Sequence, residues 1–368
     1  MEALYREKQE CFGCEACVAA CHTGAISMKT DLEGFLYPTI DTLRCTECGR
    51  CIAVCPAKVE LPRREGKFFA VRCDDEQVLF RSTSGGAFTL LAQDVIARDG
   101  LVCGAVFDDT FSVRHILSKS ISLMRKSKYV QSTLAGCYAS IQEALCRGAT
   151  VLFSGTPCQC HALRLFFSKY LDHLLLVSVV CRGVQSPGLW RDYTTWISCG
   201  GSLQFYDFRD KRDRNDGHTV AYAVNGVETS VPMTADRLSS LFNLGLTYRP
   251  SCYACPYTRP DNDFDLTLGD FWGVEKSCPQ FADHCGTSLV IAHGTRGEAC
   301  VSRLVQRAKI VACEGHSAMQ PALVAPAREP FLRKFLFRDF ARAKAKGDNS
   351  MPLILKKYGV GQQNTTKK

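Results

Sequence analysis

The stretch CFGCEACVAAC (Cys11–Cys21) and its echo CTECGRCIAVCP (Cys45–Pro56) decide how this chain is read. Both hold four cysteines spaced C-x2-C-x2-C-x3-C, and each member of the second run lies 34 residues beyond its counterpart. The segment is one internal duplication, and without a third copy it is no repeat array. Three cysteines at three-residue intervals on a tight loop can each reach a different corner of one cubane. The fourth, on the short helix that follows, points toward the other copy.

That is the arrangement of two-cluster bacterial ferredoxins. It assigns Cys11, Cys14, Cys17 and Cys55 to one 4Fe–4S cluster, and Cys45, Cys48, Cys51 and Cys21 to the other. A pair of structural zinc sites is the rival reading, because C-x2-C pairs also hold zinc. Zinc takes four ligands, however, and does not favour a third cysteine at the same tight interval. His22 stands where Pro56 follows the second run. The change leaves the ligands intact and bears on the hydrogen bonding that tunes a cluster.

Composition points the same way. With 368 residues, 46% of them apolar and 22% charged, the chain reads as a soluble globular protein of two to three domains. Its 22 cysteines are too many for ordinary core use, and a chain this long needs no disulfide scaffold. The start, MEALYREKQE, is polar, and the longest apolar run, Leu174 to Cys181, covers eight residues. Neither a signal peptide nor a transmembrane segment is expected, so the reading is cytoplasmic, with reduced thiols available for metal ligation. The net charge of +8 sits in the tail: Phe331 to Lys368 holds ten Lys and Arg against two Asp. There Phe331, Leu332, Phe335, Leu336 and Phe340 share a helical face, with Arg333, Arg338 and Arg342 elsewhere. A basic amphipathic helix can contact a membrane surface; the plainer reading docks it on its own body. No basic stretch interleaved with aromatics supports a nucleic-acid role.

The body alternates strands and helices. Strands are expected at Leu101–Phe107, Val151–Ser154, Leu174–Val180, Gly286–His293 and Ile310–Ala312, and helices at Ala87–Arg98, Leu134–Arg147, Pro157–Tyr170 and Arg296–Ala308. Shorter antiparallel strands are expected between Leu203 and Val231, around a loop rich in Arg, Asp and Asn. The fold class is therefore α/β, a mixed, mostly parallel sheet with helices on both faces, preceded by a small α+β ferredoxin domain. Ser84-Gly85-Gly86 opens a helix, where backbone N–H groups can meet a diphosphate; an ordinary turn is the alternative. Cys158 and Cys181 lie at C-terminal strand ends, and Cys252 and Cys255 form a C-x2-C pair on a Pro- and Tyr-rich loop. Four thiolates converging at that edge would hold a third cluster, or they are plain core residues, as the remaining ten cysteines are expected to be.

RSTSGGAF (Arg81–Phe88), SKYVQS (Ser127–Ser132), VLFSGTPCQ (Val151–Gln159), CRGVQSP (Cys181–Pro187), CYAC (Cys252–Cys255) and LTLGDFWG (Leu266–Gly273) follow in order. With these strings the sequence resembles the coenzyme F420 hydrogenase/dehydrogenase beta-subunit family, in the branch with an N-terminal two-cluster ferredoxin domain. The resemblance implies an iron–sulfur flavoprotein that binds FAD and passes electrons between clusters and a deazaflavin or other small acceptor. It implies a third 4Fe–4S cluster on Cys158, Cys181, Cys252 and Cys255, and flavin contacts at Ser84, Gly85, Gly86, Lys128 and Tyr129. The organisation it suggests is a ferredoxin domain over 1–62, a beta-subunit N-terminal-like region over 63–140, a C-terminal-like region over 141–325 and a basic helix and tail over 326–368. Lys126, Arg182 and Gln185 depart from the usual pattern on the presumed flavin or substrate side, so use of F420 does not follow from the resemblance. Two roles stand: a reductase or dehydrogenase with its own small-molecule acceptor, served by ferredoxin or another redox partner, or an electron-transfer subunit of a larger complex. His115, His161, His218 and Asp270 are candidates for proton transfer, each with a structural alternative.

Overall fold

The computed structural model describes residues 4–212, 218–282 and 285–359. At the N terminus, two short helices (Ala16–Ala20 and Arg50–Ala53) flank an antiparallel hairpin of β1 (Ile26–Thr30) and β2 (Leu36–Ile40). The hairpin turn is closed by Asp31, whose Oδ1 accepts from the N–H of Glu33 (3.0 Å) and of Phe35 (2.9 Å). Gly34 takes the left-handed conformation there (φ +80°), and a Cβ on it would stand 2.7 Å from Gly188 Cα. Only glycine permits this turn to lie so close to the body.

The body is built on β3 (Gly66–Cys73), β4 (Leu101–Phe107), β5 (Val113–Ser118), β6 (Val151–Gly155) and β7 (Leu174–Val179). A separate antiparallel sheet of β8 (Leu203–Asp210), β9 (Thr219–Val224) and β10 (Val227–Pro232) follows, as expected. The Arg- and Asp-rich loop read between them lies largely outside the described residues. The chain then returns to the main sheet with β11 (Leu266–Asp270), β12 (Ser288–His293) and β13 (Ala308–Cys313). The main sheet has the order β13-β3-β12-β11-β7-β6-β4-β5, so both the 63–140 and the 141–325 segments supply it. The run β11-β7-β6-β4 is parallel. β3 shares its direction, whereas β5, β12 and β13 run the other way.

Strand residues alternate between two cores. Leu152, Leu175 and Val177 face the helix Ala87–Ala97 with Leu90 and Leu91. Val151, Phe153, Leu174 and Leu176 face the helices Cys137–Cys146 and Pro157–Phe166 with Ile141 and Leu163. A period of two with both faces apolar is what a central strand covered on both sides requires.

Three helices differ from expectation. The first begins at Cys137, because Gly136 holds a left-handed N-cap. The second ends at Phe166 and continues as a separate turn, Ser168–Tyr170. The third spans Gly294–Ser302 and stops well short of Ala308, which opens β13 instead. In the C-terminal helix Arg333–Ala345 the buried face carries Arg333, Leu336, Phe337 and Phe340, whereas Phe331 and Leu332 are exposed. Arg333 therefore belongs to the docked side, contrary to the periodicity. Each of the three buried apolar side chains contributes about 1.5–3 kcal/mol, which decides for docking on the body. Of the ten cysteines read as core, Cys146, Cys199 and Cys285 are exposed. Among the described residues no helix is long and apolar enough to cross a membrane.

Candidate redox site

The two N-terminal loops repeat their backbone as well as their cysteines. Gly13 (φ 67°) and Glu15 (φ 63°) in the first copy match Glu47 (φ 54°) and Gly49 (φ 73°) in the second. Both copies thus need the same two left-handed positions, and each places glycine at one and a strained glutamate at the other. Around the first loop, burial pushes the Cys17 thiol up to about 12, and Cys11, Cys55 and Cys51 are its thiol neighbours. Burial likewise raises Cys55, with Cys11 beside it. Cys11, Cys14, Cys17 and Cys55 are therefore gathered, the fourth member crossing from the other run. Cys21, Cys45, Cys48 and Cys51 line a second cavity of about 190 Å³. His22 Nδ1 lies 4.0 Å from Cys48 Sγ, so the departure from Pro56 faces a cysteine of this group.

The parallel strands bring the third group together. Cys158 lies in the first turn of the helix after β6, Cys181 follows β7, and Cys252 lies within the turn Pro250–Ala254 with Cys255 directly after it. Burial raises all four thiols, Cys252 to about 11 and Cys255 to about 12. Cys181 has Cys252, Cys158 and Cys255 as electrostatic neighbours. Cys158 in turn is a neighbour of Cys14, so this group adjoins the first N-terminal one. Among the described residues no three His, Cys, Asp or Glu side chains converge as on a single metal ion; a cubane presents four separate corners.

The four cysteines line a cavity of about 580 Å³. Its walls continue to Ser84, Gly86, Lys128 and Tyr129, with Lys126, Arg182 and Gln185 also lining it. Gly85 is turned away: its N–H donates to Ser288 Oγ (3.0 Å), and a Cβ would stand 2.3 Å from Val71 O. Its part is to let the loop pack on β3 and β12. Lys128 Nζ donates to Arg125 O (2.7 Å) and Lys126 O (3.2 Å), and burial lowers its pKa to about 7. Tyr129 OH accepts from Arg209 (3.3 Å), which pairs with Asp270 (2.9 Å). Lys211 Nζ donates to Ser84 O (2.6 Å) and Cys285 O (3.1 Å) and is lowered to about 8, chiefly by burial.

Three groups in this wall suit a polar, anionic ligand. Arg125 Nε, His115 Nδ1 and the Gln185 amide are buried without a hydrogen-bond partner among the described residues. A diphosphate and a hydrogen-bonding ring system would satisfy such donors and acceptors. Of the proton-transfer candidates, His218 and Asp270 line the cavity. His115 lines it too, with Nε2 3.0 Å from Ser154 O and a pKa lowered by burial to about 4. His161 is held by the Tyr257 hydroxyl (2.8 Å) and does not line it. Arg125, Arg209, Lys211 and Arg249 escape sequence reading, since a lone cation has no spacing signature.

Residues 10–59 match the model of the 4Fe–4S dicluster domain. Residues 148–317 match that of the coenzyme F420 hydrogenase/dehydrogenase beta subunit, C terminus. Over residues 148–317, a little under half of its length, the chain is similar to that beta-subunit family. The two matched stretches stand in the order in which the motifs occur. One subunit of the F420H2 dehydrogenase of Methanosarcina mazei is similar, at 24% identity over 182 residues, which is 45% of this chain and 51% of that protein. The chain thus spans about half the length of this curated relative. A chain of the xenon-derivatised F420-reducing [NiFe] hydrogenase complex from Methanosarcina barkeri aligns over 84% of this chain and 100% of its own, at 16% identity and a TM-score of 0.44. The first match supports 4Fe–4S clusters in residues 10–59, and the second a likeness to an oxidoreductase family over the body.

Proposed function

We propose that this chain is an electron-transfer subunit of a larger oxidoreductase, in which three 4Fe–4S clusters lead to an FAD. The observation that carries the reading is that one cavity is lined both by Cys158, Cys181, Cys252 and Cys255 and by Ser84, Gly86 and Lys128. Cys11, Cys14, Cys17 and Cys55 would hold one cluster, Cys21, Cys45, Cys48 and Cys51 the second, and the four cavity cysteines the third. When bound, clusters carry single electrons and FAD exchanges these for a hydride.

The residues of the chain bind, orient and screen. The start of helix Ala87–Ala97, with Gly86 at its N-cap, offers N–H groups to a diphosphate. Arg125 adds charge, and Gln185 and His115 offer hydrogen bonds to a ring. Apolar walls from Ala105, Val130 and Phe208 keep water from the reacting end. The subunit role is favoured because the curated relative is itself named as a subunit.

A second reading, a reductase with its own small organic acceptor such as a deazaflavin, is favoured by the mouth. Trp272 and His218, both exposed, line the cavity and leave a way in for a small molecule. Anaerobic purification with iron, sulfide and flavin quantified per chain tests the cofactor set. About twelve irons, as three cubanes require, and one FAD are expected. About eight irons and no flavin would leave the dicluster domain alone standing. Turnover by the isolated chain with an artificial donor would favour the second reading; co-purification with a larger dehydrogenase favours the first.

A further inference from the structure

Arg249 is 1% exposed and sits between two of the cysteine groups. Its Nε donates to Cys11 O (2.7 Å), its Nη2 to Leu36 O (3.0 Å) and its Nη1 to Gln131 Oε1 (2.9 Å). Nη2 also lies 3.5 Å from Cys11 Sγ. The guanidinium stands 4.1 Å from the centroid of the Tyr37 ring. Its hydrogen bonds thus go to carbonyls, an amide and a thiol, and not to a carboxylate. A cation in such a place needs anionic neighbours to be stable. The neighbours that become anionic on ligating a cluster are sulfurs on both sides: Cys11 of the first group, and Cys158 and Cys252 of the third, which line the same cavity as Arg249.

We propose that Arg249 sets the reduction potentials of the two clusters it separates, the one on Cys11, Cys14, Cys17 and Cys55 and the one on Cys158, Cys181, Cys252 and Cys255. This rests on the cluster assignment proposed above. Net charge and hydrogen bonds to sulfur are among the terms that fix a cluster's potential. A fixed positive charge favours the added electron, and one facing both clusters raises both potentials together. The step it serves moves one electron: one cluster is oxidised, the other reduced, and no bond or proton changes place. Because the two shifts share a sign, the difference between the clusters stays small while both are held within reach of a donor.

The test is a dithionite titration of the anaerobically loaded full chain, followed by electron paramagnetic resonance. In Arg249→Gln, both potentials should fall by at least a tenfold loss in the reduced-to-oxidised ratio, about 59 mV for a one-electron couple. Arg249→Lys, which keeps the charge, should stay near the wild type. The cluster on Cys21, Cys45, Cys48 and Cys51, whose cavity Arg249 does not line, serves as the internal control and should not move. Unchanged potentials at full iron content, or an equal shift in all three clusters, would overturn the proposal. If Arg249→Gln loses iron, Gln131→Glu sets a carboxylate against Nη1 and should lower the same two potentials. Unchanged values in that variant overturn it equally. Wild-type protein without iron on these cysteines would instead overturn the cluster assignment.

Discussion

Glu33, at the tip of the N-terminal hairpin, receives both Nη atoms of Arg333 from the C-terminal helix, at 3.1 and 2.6 Å. Arg333 also donates to Tyr248 O (3.1 and 2.9 Å), so one buried guanidinium ties the dicluster domain, the body and the C-terminal helix. Truncating Glu33 leaves the buried cation with only the exposed carboxylate of Glu329, 3.6 Å from Nη1. Glu33→Ala should therefore cost about 2–3 kcal/mol, less than a fully buried pair because Glu33 is partly exposed. A urea midpoint measured anaerobically checks this, and an unchanged midpoint would remove the clasp as a source of stability.

The close approach of Gly34 to Gly188 gives a second expectation. Gly34→Ala pays for a left-handed conformation, about 1–3 kcal/mol, and also drives its Cβ into Gly188 Cα. Gly226→Ala has a similar φ (+81°) with nothing within 4 Å of its Cβ. It should lower the melting temperature less, and limited proteolysis should release the first 62 residues only from Gly34→Ala.

Cys158 and Cys160 are neighbours with opposite expected fates. Cys158→Ala should remove about four irons per chain, one cubane's worth, and so should Cys181→Ala. Cys160, fully buried in the core beneath the helix, should leave the iron content untouched when changed to Ala. Equal iron loss from both would mean that the helix, not a ligand, was damaged.

Acid should weaken the fold through buried histidines. His293 is fully buried, with Nδ1 donating to Arg64 O (3.2 Å) and Nε2 accepting from the Thr267 hydroxyl (3.0 Å), which needs the neutral ring. Burial lowers its pKa from 6.5 to about 4. Between these values the unfolded chain binds a proton that the folded one does not, so stability falls as pH drops from 6.5 toward 4 and is flat above. The full effect is about 3 kcal/mol. His293→Asn should flatten the slope of anaerobic denaturation midpoints over that window, and an identical slope would exclude this residue.

Much of this was legible in the sequence because spacing carries it. The two cysteine runs and the strand Leu101–Phe107 follow from periods that backbone geometry enforces; for Cys158, Cys181, Cys252 and Cys255 the strand ends leave core use open, and the resemblance alone points to a shared cluster. β3 escaped notice: GKFFAVRC stands between Arg63-Arg64-Glu65 and Asp74-Asp75, and its burial comes from partners 200 residues away. Gly85 and its neighbours read alike in sequence, yet only the loop's packing on Ser288 separates the residue that packs from those that line the cavity. Arg249 and Arg333 look like any other surface cations among 45; tertiary contact alone makes them interior.

With its hairpin tip wedged against Gly188 and clasped by Arg333, the N-terminal domain is bracketed to the body and not left on a hinge. A domain on a swinging tether would deliver electrons at a pace set by its diffusion through solvent. Under the proposed cluster assignment the encounter would already be made at folding, and passage within the chain would be governed by distance and energy alone, indifferent to how viscous the surroundings are.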